Sequence, residues 1–274
     1  MKTGNHTTVY SETMTPRALF IAHGGGPLPL MGDSAHADMV AYLKGIEGEI
    51  GRPEAIVVVS AHWEATVPTI TANPNPDLYF DYYGFPPETY ELSYPAPGSV
   101  ELAEQIHMLL ADAELNPALD NERGFDHGVF VPLMLMYPDA QIPVVQVSLV
   151  DGLDPEAHIA LGETLRPITD GNVLVIGSGM SFHNMGAFGG AGSDPQNQAF
   201  DAWLDQTCTD ESIDEVTRRA ALVGWQSAPA AQYNHPREEH LIPLHVCYGL
   251  GGGAATRSFD GQVLGKRVGG YSWS

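Results

Sequence analysis

The chain has 274 residues and is strongly acidic, with 34 aspartate and glutamate residues against 12 lysine and arginine residues and a formal net charge of −22. Such a charge repels nucleic acid and anionic membranes, so we expect neither as a partner. No apolar run approaches the ~20 residues of a membrane-spanning helix. The N-terminus has no signal-peptide pattern, and the two cysteines fit neither a disulfide framework nor a metal motif, so we expect a cytoplasmic protein.

Three apolar runs, each leading to a histidine, dominate the predicted secondary structure. They lack the alternation of a half-exposed strand, which predicts strands buried on both faces of a parallel sheet. Arg17–Ala22 leads directly to His23 and a run of three glycines. Ala55–Val59 is closed by Ser60 and Ala61, which places His62 at its carboxyl end. Val173–Ile176 leads through Gly-Ser-Gly to His183.

The remaining elements predict a single α/β domain with a central, mostly parallel sheet flanked by helices. Residues 1–16 are polar and are predicted to be a mobile lead-in, and residues 17–274 form the domain. Helical spacing or apolar runs predict helices at Ser34–Ile50, Ser99–Ala113, Val129–Tyr137, Asp154–Arg166 and Asp194–Gly224 (as two helices), and a last one that starts near Glu238 and contains Leu241–Leu250. Further strands are predicted at Val67–Ala72 and Ile142–Val150, with edge strands within Thr256–Tyr271.

A long insertion, residues 73–98, is too rich in rings to be an ordinary linker. It contains six prolines and seven aromatic residues in its sequence NPNPDLYFDYYGFPPETYELSYPAPG. Loops of this length are usually functional or disordered, and the aromatic content argues against disorder. We predict an ordered wall or lid over a pocket, the alternative being a loop that only covers the core.

Five histidines are predicted to meet at one edge of the sheet. Three follow buried strands and two precede helices, and the carboxyl ends of parallel strands share one edge, where ligands bind. Carboxylates lie next to two of the five in the sequence. The histidines are His23, His62, His127, His183 and His240, and the carboxylates are Asp126, Glu238 and Glu239. Converging imidazoles with a carboxylate suit Fe(II) or Zn(II). GxSxG fails around Ser178 and Ser181, which disfavours a serine hydrolase, and the role of His235 is left open.

Seven segments, in order from about residue 17 to about residue 250, resemble the 4,5-DOPA extradiol dioxygenase family. They are RALFIAHGGGP, AIVVVSAHW, DYYGFPPETYELSYPAPG, RGFDHGVFVPLMLMYP, IPVVQVSL, VLVIGSGMSFHN and HPREEHLIPL. This family belongs to the class III extradiol ring-cleavage dioxygenases, with the catalytic subunit of protocatechuate 4,5-dioxygenase. The resemblance implies an active site at the carboxyl ends of the strands. It also implies cleavage of a catechol ring, with both atoms of O₂ incorporated, to a muconic semialdehyde.

The resemblance also implies roles for individual residues. Metal ligands correspond to His23, His62 and His240, although Glu239 is an alternative third ligand because the wider superfamily uses a glutamate there. His183 corresponds to the acid–base residue, with the role of a further ligand left open, and His127 to a hydrogen-bond donor toward substrate. One departure is Ala-His-Gly-Gly-Gly-Pro around His23, where the family often has Ser-His-Gly-Ser-Pro.

The expected cofactor and substrate follow from the same resemblance. Fe(II) is expected for activity; Zn(II) in the same site suits hydrolysis instead, which leaves a zinc hydrolase or a non-catalytic metal-binding protein as alternatives. The partners are a catechol and O₂. The rings of Tyr82, Tyr83 or Phe85 are predicted to contact the catechol, and Arg123 and Arg237 are candidates to bind a substrate carboxylate. The particular catechol and the oligomeric state are left open.

Overall fold

An eight-stranded sheet organises the protein, whose computed structural model describes residues 17–190 and 192–274. The predicted lead-in, residues 1–16, lies outside the described residues. The strands are β1 (Ala18–Ala22), β2 (Ala55–Ala65), β3 (Thr69–Thr71), β4 (Ala118–Asp120), β5 (Val144–Val150), β6 (Val173–Gly179), β7 (Thr256–Val263) and β8 (Lys266–Trp273). They lie in the order β4-β3-β5-β2-β6-β1-β8-β7.

Helices cover both faces of this sheet. Those in the described residues are α1 (Ala37–Gly45), α2 (Glu47–Ile50), α3 (Val100–Asp112), α4 (His127–Met136), α5 (Pro155–Leu165), α6 (Pro195–Thr209), α7 (Glu215–Val223), α8 (Ala231–Asn234) and α9 (Ile242–Gly251). Short 3₁₀ turns lie at Leu28–Met31, Ser34–His36, Pro87–Tyr90, Arg166–Gly171 and Trp225–Ser227. Within the described part of the chain, no helix is long and apolar enough to cross a membrane.

The four central strands, β5, β2, β6 and β1, are parallel to one another. Their side chains alternate between two apolar cores: Val57 and Val59 pack with α3, α5, α6 and α9, whereas Ile56 and Val58 pack with α1 and α4. Burial on both faces explains why these strands have continuous Val/Ile runs in the sequence. The predicted α/β class with a mostly parallel central sheet is therefore confirmed.

The strand that carries His62 is longer than the sequence indicates. We predicted that Ser60 and Ala61 end it, whereas β2 continues to Ala65. Its pairing with β5 is interrupted after Val59 and resumes at Glu64 opposite Leu149. His62 therefore lies on an irregular part of a strand, and a bulge of this kind re-aims side chains without ending the strand.

The two outer parts of the sheet also differ in part from the prediction. Of the two C-terminal strands, β7 is at the edge as expected, but β8 pairs with β1 on one side and β7 on the other. The prediction of edge strands within Thr256–Tyr271 was wrong for β8, because alternation does not distinguish a strand at the edge of a sheet from an antiparallel strand inside the sheet. At the opposite edge, β4 was missed; it has only three residues and pairs with β3.

The insertion, residues 73–98, is held against the body of the protein at several points. Its backbone forms a bridge between Leu78 and Phe125, with hydrogen bonds from Tyr79 N–H to the Phe125 carbonyl and from Phe125 N–H to the Asp77 carbonyl. A side chain at Gly124 would lie 2.4 Å from that Asp77 carbonyl, so glycine is needed for this close approach. The rings of Tyr82 and Tyr94 are buried.

Candidate active site

The structure brings all five predicted histidines together. The ring centroids of His23 and His62 are 4.8 Å apart, and each lies about as close to the ring of His240, at 5.2 and 4.9 Å. His127 lies 3.9 Å from His62, and His183 lies 3.3 Å from His240, with the rings stacked. Three elements deliver the first three: the residue after β1, the bulged part of β2, and the turn before α9.

His23, His62 and His240 offer nitrogen atoms that could hold one metal ion. The Nε2 atoms of His23 and His62 are 3.0 Å apart. Two nitrogens that are each about 2.1 Å from a metal and about 90° apart have about this separation. Imidazole nitrogens suit Fe and Zn. The three residues therefore fit a divalent transition metal in both spacing and donor chemistry.

Nδ1 of His23, the ring nitrogen that points away from the other candidate ligands, is fixed by two consecutive hydrogen bonds. Ser178 Oγ donates to the carbonyl of Gly128, so the Nδ1–H of His23 donates to Ser178 Oγ at 3.0 Å. Nδ1 is thereby protonated, and Nε2 keeps its lone pair for a metal. Orientation of a ligand histidine through its outer nitrogen is typical of metal sites.

His183, His240 and Glu239, here called the Glu239 side, form one half of the cluster. The same oxygen, Glu239 Oε1, lies 3.1 Å from His183 Nδ1 and 2.9 Å from His240 Nδ1. Burial raises the pKa of Glu239, but the hydrogen bonds from the two histidines outweigh burial and hold this pKa well below its ordinary value. Glu239 is thus a carboxylate that fixes Nδ1 of both rings and leaves their Nε2 atoms free.

His62, His127 and Asp81, here called the Asp81 side, form the other half. Asp81 Oδ1 lies 2.8 Å from His127 Nδ1 and accepts a second hydrogen bond, of 3.0 Å, from the backbone N–H of His127. The other oxygen, Oδ2, lies 3.6 Å from His62 Nδ1. These three residues could also hold a cation between them. Asp81 was not among the site residues predicted from the sequence.

The three candidate ligands are held in the neutral form that binds metals. Burial is the main cause that lowers the pKa of His23 and of His62, and the positive charge that neighbouring histidines would carry lowers both further. For His240, burial lowers the pKa to about 4 although Glu239 opposes the change. At neutral pH these nitrogens need not lose a proton before a metal binds.

A buried carboxylate, Asp126, lies beneath the Asp81 side. Ser60 Oγ and the amide of Gln146 donate to it, and so does Arg123, which also donates to the carbonyl of His62. The guanidinium of Arg123 lies over the ring of Trp63, 4.5 Å from its centroid. Arg123 therefore braces the backbone that carries His62, and its contacts are internal.

Gly128, the second residue of α4, allows the helix to approach this network. A side chain there would lie 2.4 Å from Ser60 Oγ and 3.2 Å from the ring of His62. Because neither the buried hydroxyl nor the candidate ligand has room to move, only glycine fits. The Asp-His-Gly sequence thus supplies the buried carboxylate of Asp126, the site histidine His127, and Gly128, which lets the helix approach Ser60 and His62 closely.

The other predicted substrate-binding residues occupy different surroundings. Tyr82 is buried, with its ring 5.9 Å from that of His127, and Phe85 packs on Tyr82 at 5.4 Å. Tyr83, by contrast, is 92% exposed. Arg237 has an accessible side chain, pairs with Glu64 through both of its terminal nitrogens and lies 3.6 Å from Glu239. The carbonyl of Glu238 accepts hydrogen bonds from the N–H groups of Leu241 and Ile242, at the start of α9.

The remaining buried histidines hold backbone groups. His235, whose role the sequence left open, donates from Nε2 to the carbonyl of Ser181, and burial lowers its pKa to about 3. His36 accepts from the N–H of Gly25 and so fixes the glycine turn after His23. His245 and His158 similarly bond to the backbone at Leu222 and Val150.

Comparison with known families and proteins shows similarity along most of the chain. Residues 19–268 match the family described as the catalytic LigB subunit of aromatic ring-opening dioxygenase. The chain is 38% identical to the dioxygenase tasH of Hapsidospora irregularis, over 92% of the chain and 84% of that protein. It is also 38% identical to a 4,5-DOPA dioxygenase extradiol of Beta vulgaris, with 93% and 96% covered.

Bacterial relatives are similar in both sequence and structure. The 4,5-DOPA dioxygenase extradiol of Escherichia coli (strain K12) is 35% identical, over 93% of this chain and 89% of that protein. The crystal structure of uncharacterized protein JW3007 from Escherichia coli K12 superposes with a TM-score of 0.76 at 28% sequence identity. The superposition covers 94% of this chain and 99% of the Escherichia coli chain, so the two proteins share the α/β fold along nearly their whole length.

Proposed function

Because this chain belongs to the LigB family of aromatic ring-opening dioxygenases and is a ring-cleaving extradiol dioxygenase, we propose that its substrate is a catechol bound beside a metal held by His23, His62 and His240. The supporting observation is the 3.0 Å separation of the His23 and His62 Nε2 atoms, in a site where outward hydrogen bonds fix the Nδ1 atoms of His23 and His240. Residues 17–274 form the catalytic domain in this proposal.

Members of this family depend on a metal, and we assign Fe(II) to the active enzyme. When bound, Fe(II) supplies a redox-active centre for the reaction of catechol with O₂. Zn(II) suits the same three nitrogens, but it has no accessible redox change. Zinc is therefore assigned as a competing, inactive occupant. Glu239 is assigned to orientation of His240 and His183, since its Oε1 already accepts from both rings.

His183 is assigned the proton transfers. Its Nδ1–H is held by Glu239, so Nε2 is the atom that accepts a proton from a catechol hydroxyl and returns it later in the reaction. Its side chain is 20% exposed, whereas that of His240 is 4% exposed, so His183 is the more accessible of the stacked pair. This difference supports His240 as the ligand and His183 as the acid–base residue.

His127 is assigned a hydrogen bond that its Nε2 accepts from a substrate hydroxyl, and not the donor role that the resemblance implies, because its Nδ1–H is donated to Asp81. Tyr82 and Phe85 are assigned to the wall that contacts the ring and excludes water, since Tyr82 lies against His127 and Phe85 lies against Tyr82. Of the two predicted arginines, the accessible Arg237 is the better candidate to bind a substrate carboxylate. The names of the 4,5-DOPA dioxygenase relatives support a DOPA-like catechol.

The experiment is to load metal-free protein with one equivalent of Fe(II) without oxygen, add L-DOPA or plain catechol, and then admit O₂. We expect oxygen uptake equal to catechol consumed and a yellow product, with mass showing that both oxygen atoms are incorporated into a muconic semialdehyde. Protein loaded with Zn(II) is the matched control and should consume no oxygen. Oxygen uptake without ring-cleaved product, or ester hydrolysis by the zinc form alone, would contradict the proposal.

A further inference from the structure

Asp81 contacts both histidines of its side of the site. Its side chain is 11% exposed, Oδ1 accepts from both the ring and the backbone of His127, and Oδ2 faces Nδ1 of His62 at 3.6 Å. The backbone hydrogen bond is to the first residue of α4, where an N–H has no partner within the helix. One carboxylate therefore accepts hydrogen bonds from the start of α4 and from the ring of His127, and it also faces Nδ1 of His62.

The position of Asp81 is fixed by the insertion, residues 73–98. The Leu78–Phe125 bridge anchors the segment just before it, and the N–H of Asp81 bonds to the carbonyl of Tyr79. On the other side, the hydroxyl of Tyr82 donates to the carbonyl of Thr89 at 2.6 Å, which closes the following turn. The carboxylate is thus placed by backbone contacts on one side and by a side-chain hydrogen bond on the other, and not by the histidines alone.

We propose that Asp81 is a positioning residue of the active site, which keeps the proton of His127 on Nδ1 and so presents Nε2 to the substrate. An ionised carboxylate can only accept hydrogen bonds, so His127 cannot move its proton from Nδ1 to Nε2 without losing this bond. The same carboxylate favours Nδ1–H on His62, leaving its Nε2 as the metal-binding atom. The proposal rests on the proposed function only for the statement that His127 faces the substrate.

The relation to Glu239 strengthens this inference. Each carboxylate contacts Nδ1 of one proposed metal ligand and of one proposed proton-handling or substrate-binding histidine. Two separate parts of the chain thus apply the same arrangement to the two halves of the cluster. A role limited to the start of α4 would require only the hydrogen bond to the backbone of His127, and would not require contacts with two rings.

The direct test uses ring-nitrogen NMR of metal-free protein labelled with ¹⁵N-histidine, and it does not depend on catalysis. In the wild type we expect His127 to carry a proton on Nδ1 at pH 7.5. Asp81→Ala removes the acceptor of Nδ1–H, so the proton of His127 should redistribute toward Nε2. Asp77→Ala, which removes a carboxylate from an exposed position of the same insertion, should leave the spectrum unchanged. An unprotonated Nδ1 on His127 in the wild type would overturn the proposal without any variant.

A double-mutant cycle tests whether Asp81 acts through the ring of His127. Because the ring and the backbone N–H of His127 share one oxygen of Asp81, Asp81→Ala removes both hydrogen bonds, and the loss at the start of α4 is common to both backgrounds of the cycle. In iron-loaded protein we expect this change to lower kcat about 10- to 100-fold in the wild-type background and less than 2-fold in a His127→Gln background. Equal losses in both backgrounds, with an equal drop in melting temperature, would assign Asp81 a structural role only.

Zinc titration of metal-free protein distinguishes the remaining alternative. One equivalent should bind to the wild type and to Asp81→Ala, with affinity up to about tenfold weaker in the variant. Two equivalents in the wild type, with the second lost in Asp81→Ala, would make Asp81 a ligand of a second metal and overturn the positioning role. Because titration and NMR are independent of oxygen consumption, failure of the dioxygenase assay leaves this test intact.

Discussion

The Glu239 side and the Asp81 side perform the same task with different dependence on the fold. Glu239 is adjacent to His240 in the sequence, so this carboxylate and ligand always arrive together. Asp81 lies 46 positions before His127 and reaches it only when residues 73–98 are in place. One half of the site is therefore built locally, and the other depends on tertiary packing of a long loop. Damage to the loop should reach the chemistry on the Asp81 side alone.

The largest expected effect is loss of metal when any one of the three proposed ligands is removed. His240→Ala should abolish stoichiometric metal binding, because it removes one of three nitrogens that face the same point, and His23→Ala and His62→Ala should do the same. Glu239→Gln should retain the metal with affinity weakened about 10- to 100-fold, as expected for a residue that orients a ligand. Metal content after dialysis against a graded series of chelator concentrations separates these outcomes. Full occupancy in His240→Ala with loss in Glu239→Ala would reverse the two assignments.

The second effect is on catalysis by His183. His183→Gln should retain metal and catechol affinity and lower kcat by roughly 10²–10⁴, the usual contribution of a positioned acid–base group. Metal content and single-turnover rates, measured on the same samples, provide the check. His107→Gln, a change on α3 away from the cluster, is the matched control for loss of one imidazole. Simultaneous loss of metal and activity in His183→Gln would show that His183 is a ligand.

Acid should destabilise the metal-free protein through histidines of both sides. Burial lowers the pKa of His240 to about 4, although Glu239 opposes the change, and it lowers the pKa of His62 well below 6.5. The unfolded chain, with histidine pKa values near 6.5, takes up protons first as the pH falls. Stability should therefore decrease from about pH 6.5 toward pH 4 and recover as the pH is raised.

Ring-nitrogen NMR during acid titration measures the protonation of the histidine rings, and melting temperatures at each pH measure the change in stability. Both rings should remain unprotonated at pH 6.5. Protonation of either ring near pH 6.5, or a melting temperature that rises on acidification through this window, would contradict the lowering of the two pKa values by burial.

The smallest effects are expected within the aromatic segment of the loop. Tyr82→Phe leaves the carbonyl of Thr89 without its 2.6 Å hydrogen bond and should cost about 1 kcal/mol of stability. Phe85→Ala should change the KM ratio of plain catechol to a substituted catechol a few-fold. Tyr83→Ala, at a residue that is 92% exposed, is the control and should alter neither quantity. If Phe85→Ala and Tyr82→Phe both melt early and leave the KM ratio unchanged, these rings only stabilise the loop.

Sequence patterns predicted the parts of this molecule that depend on local periodicity. The Val/Ile runs identified the central strands, and the histidines at strand ends and helix starts predicted their convergence, because parallel strands share one carboxyl edge. The continuation of β2 past His62 was missed, since a bulge is set by pairing with β5 and not by the residues of β2 alone. β4 was missed for a similar reason: three residues become a strand only beside β3.

Asp81 shows the same limit at the site itself. An aspartate in a proline-rich loop has no periodicity, and nothing near it in the chain marks it as the partner of His127. Glu239 was identified because it is next to His240. The available signal for Asp81 was its place immediately before the two tyrosines of the DYYGFP segment, since Asp81 is the carboxylate of that segment.

The anchoring of residues 73–98 has a consequence for redesign of substrate range. Exchange of the whole loop would remove the aromatic wall and the Asp81 carboxylate together. A change of substrate specificity would then be accompanied by loss of the hydrogen bond that orients the ring of His127. Grafts confined to residues 83–85, which leave the Leu78–Phe125 bridge, Asp81 and the Tyr82–Thr89 hydrogen bond in place, alter the wall alone. Gly26 sets the tolerance of such grafts, because a side chain there would lie 3.3 Å from the ring of Phe85. The aromatic wall and the carboxylate that orients His127 lie on the same loop. They can therefore be varied separately only within that shorter segment.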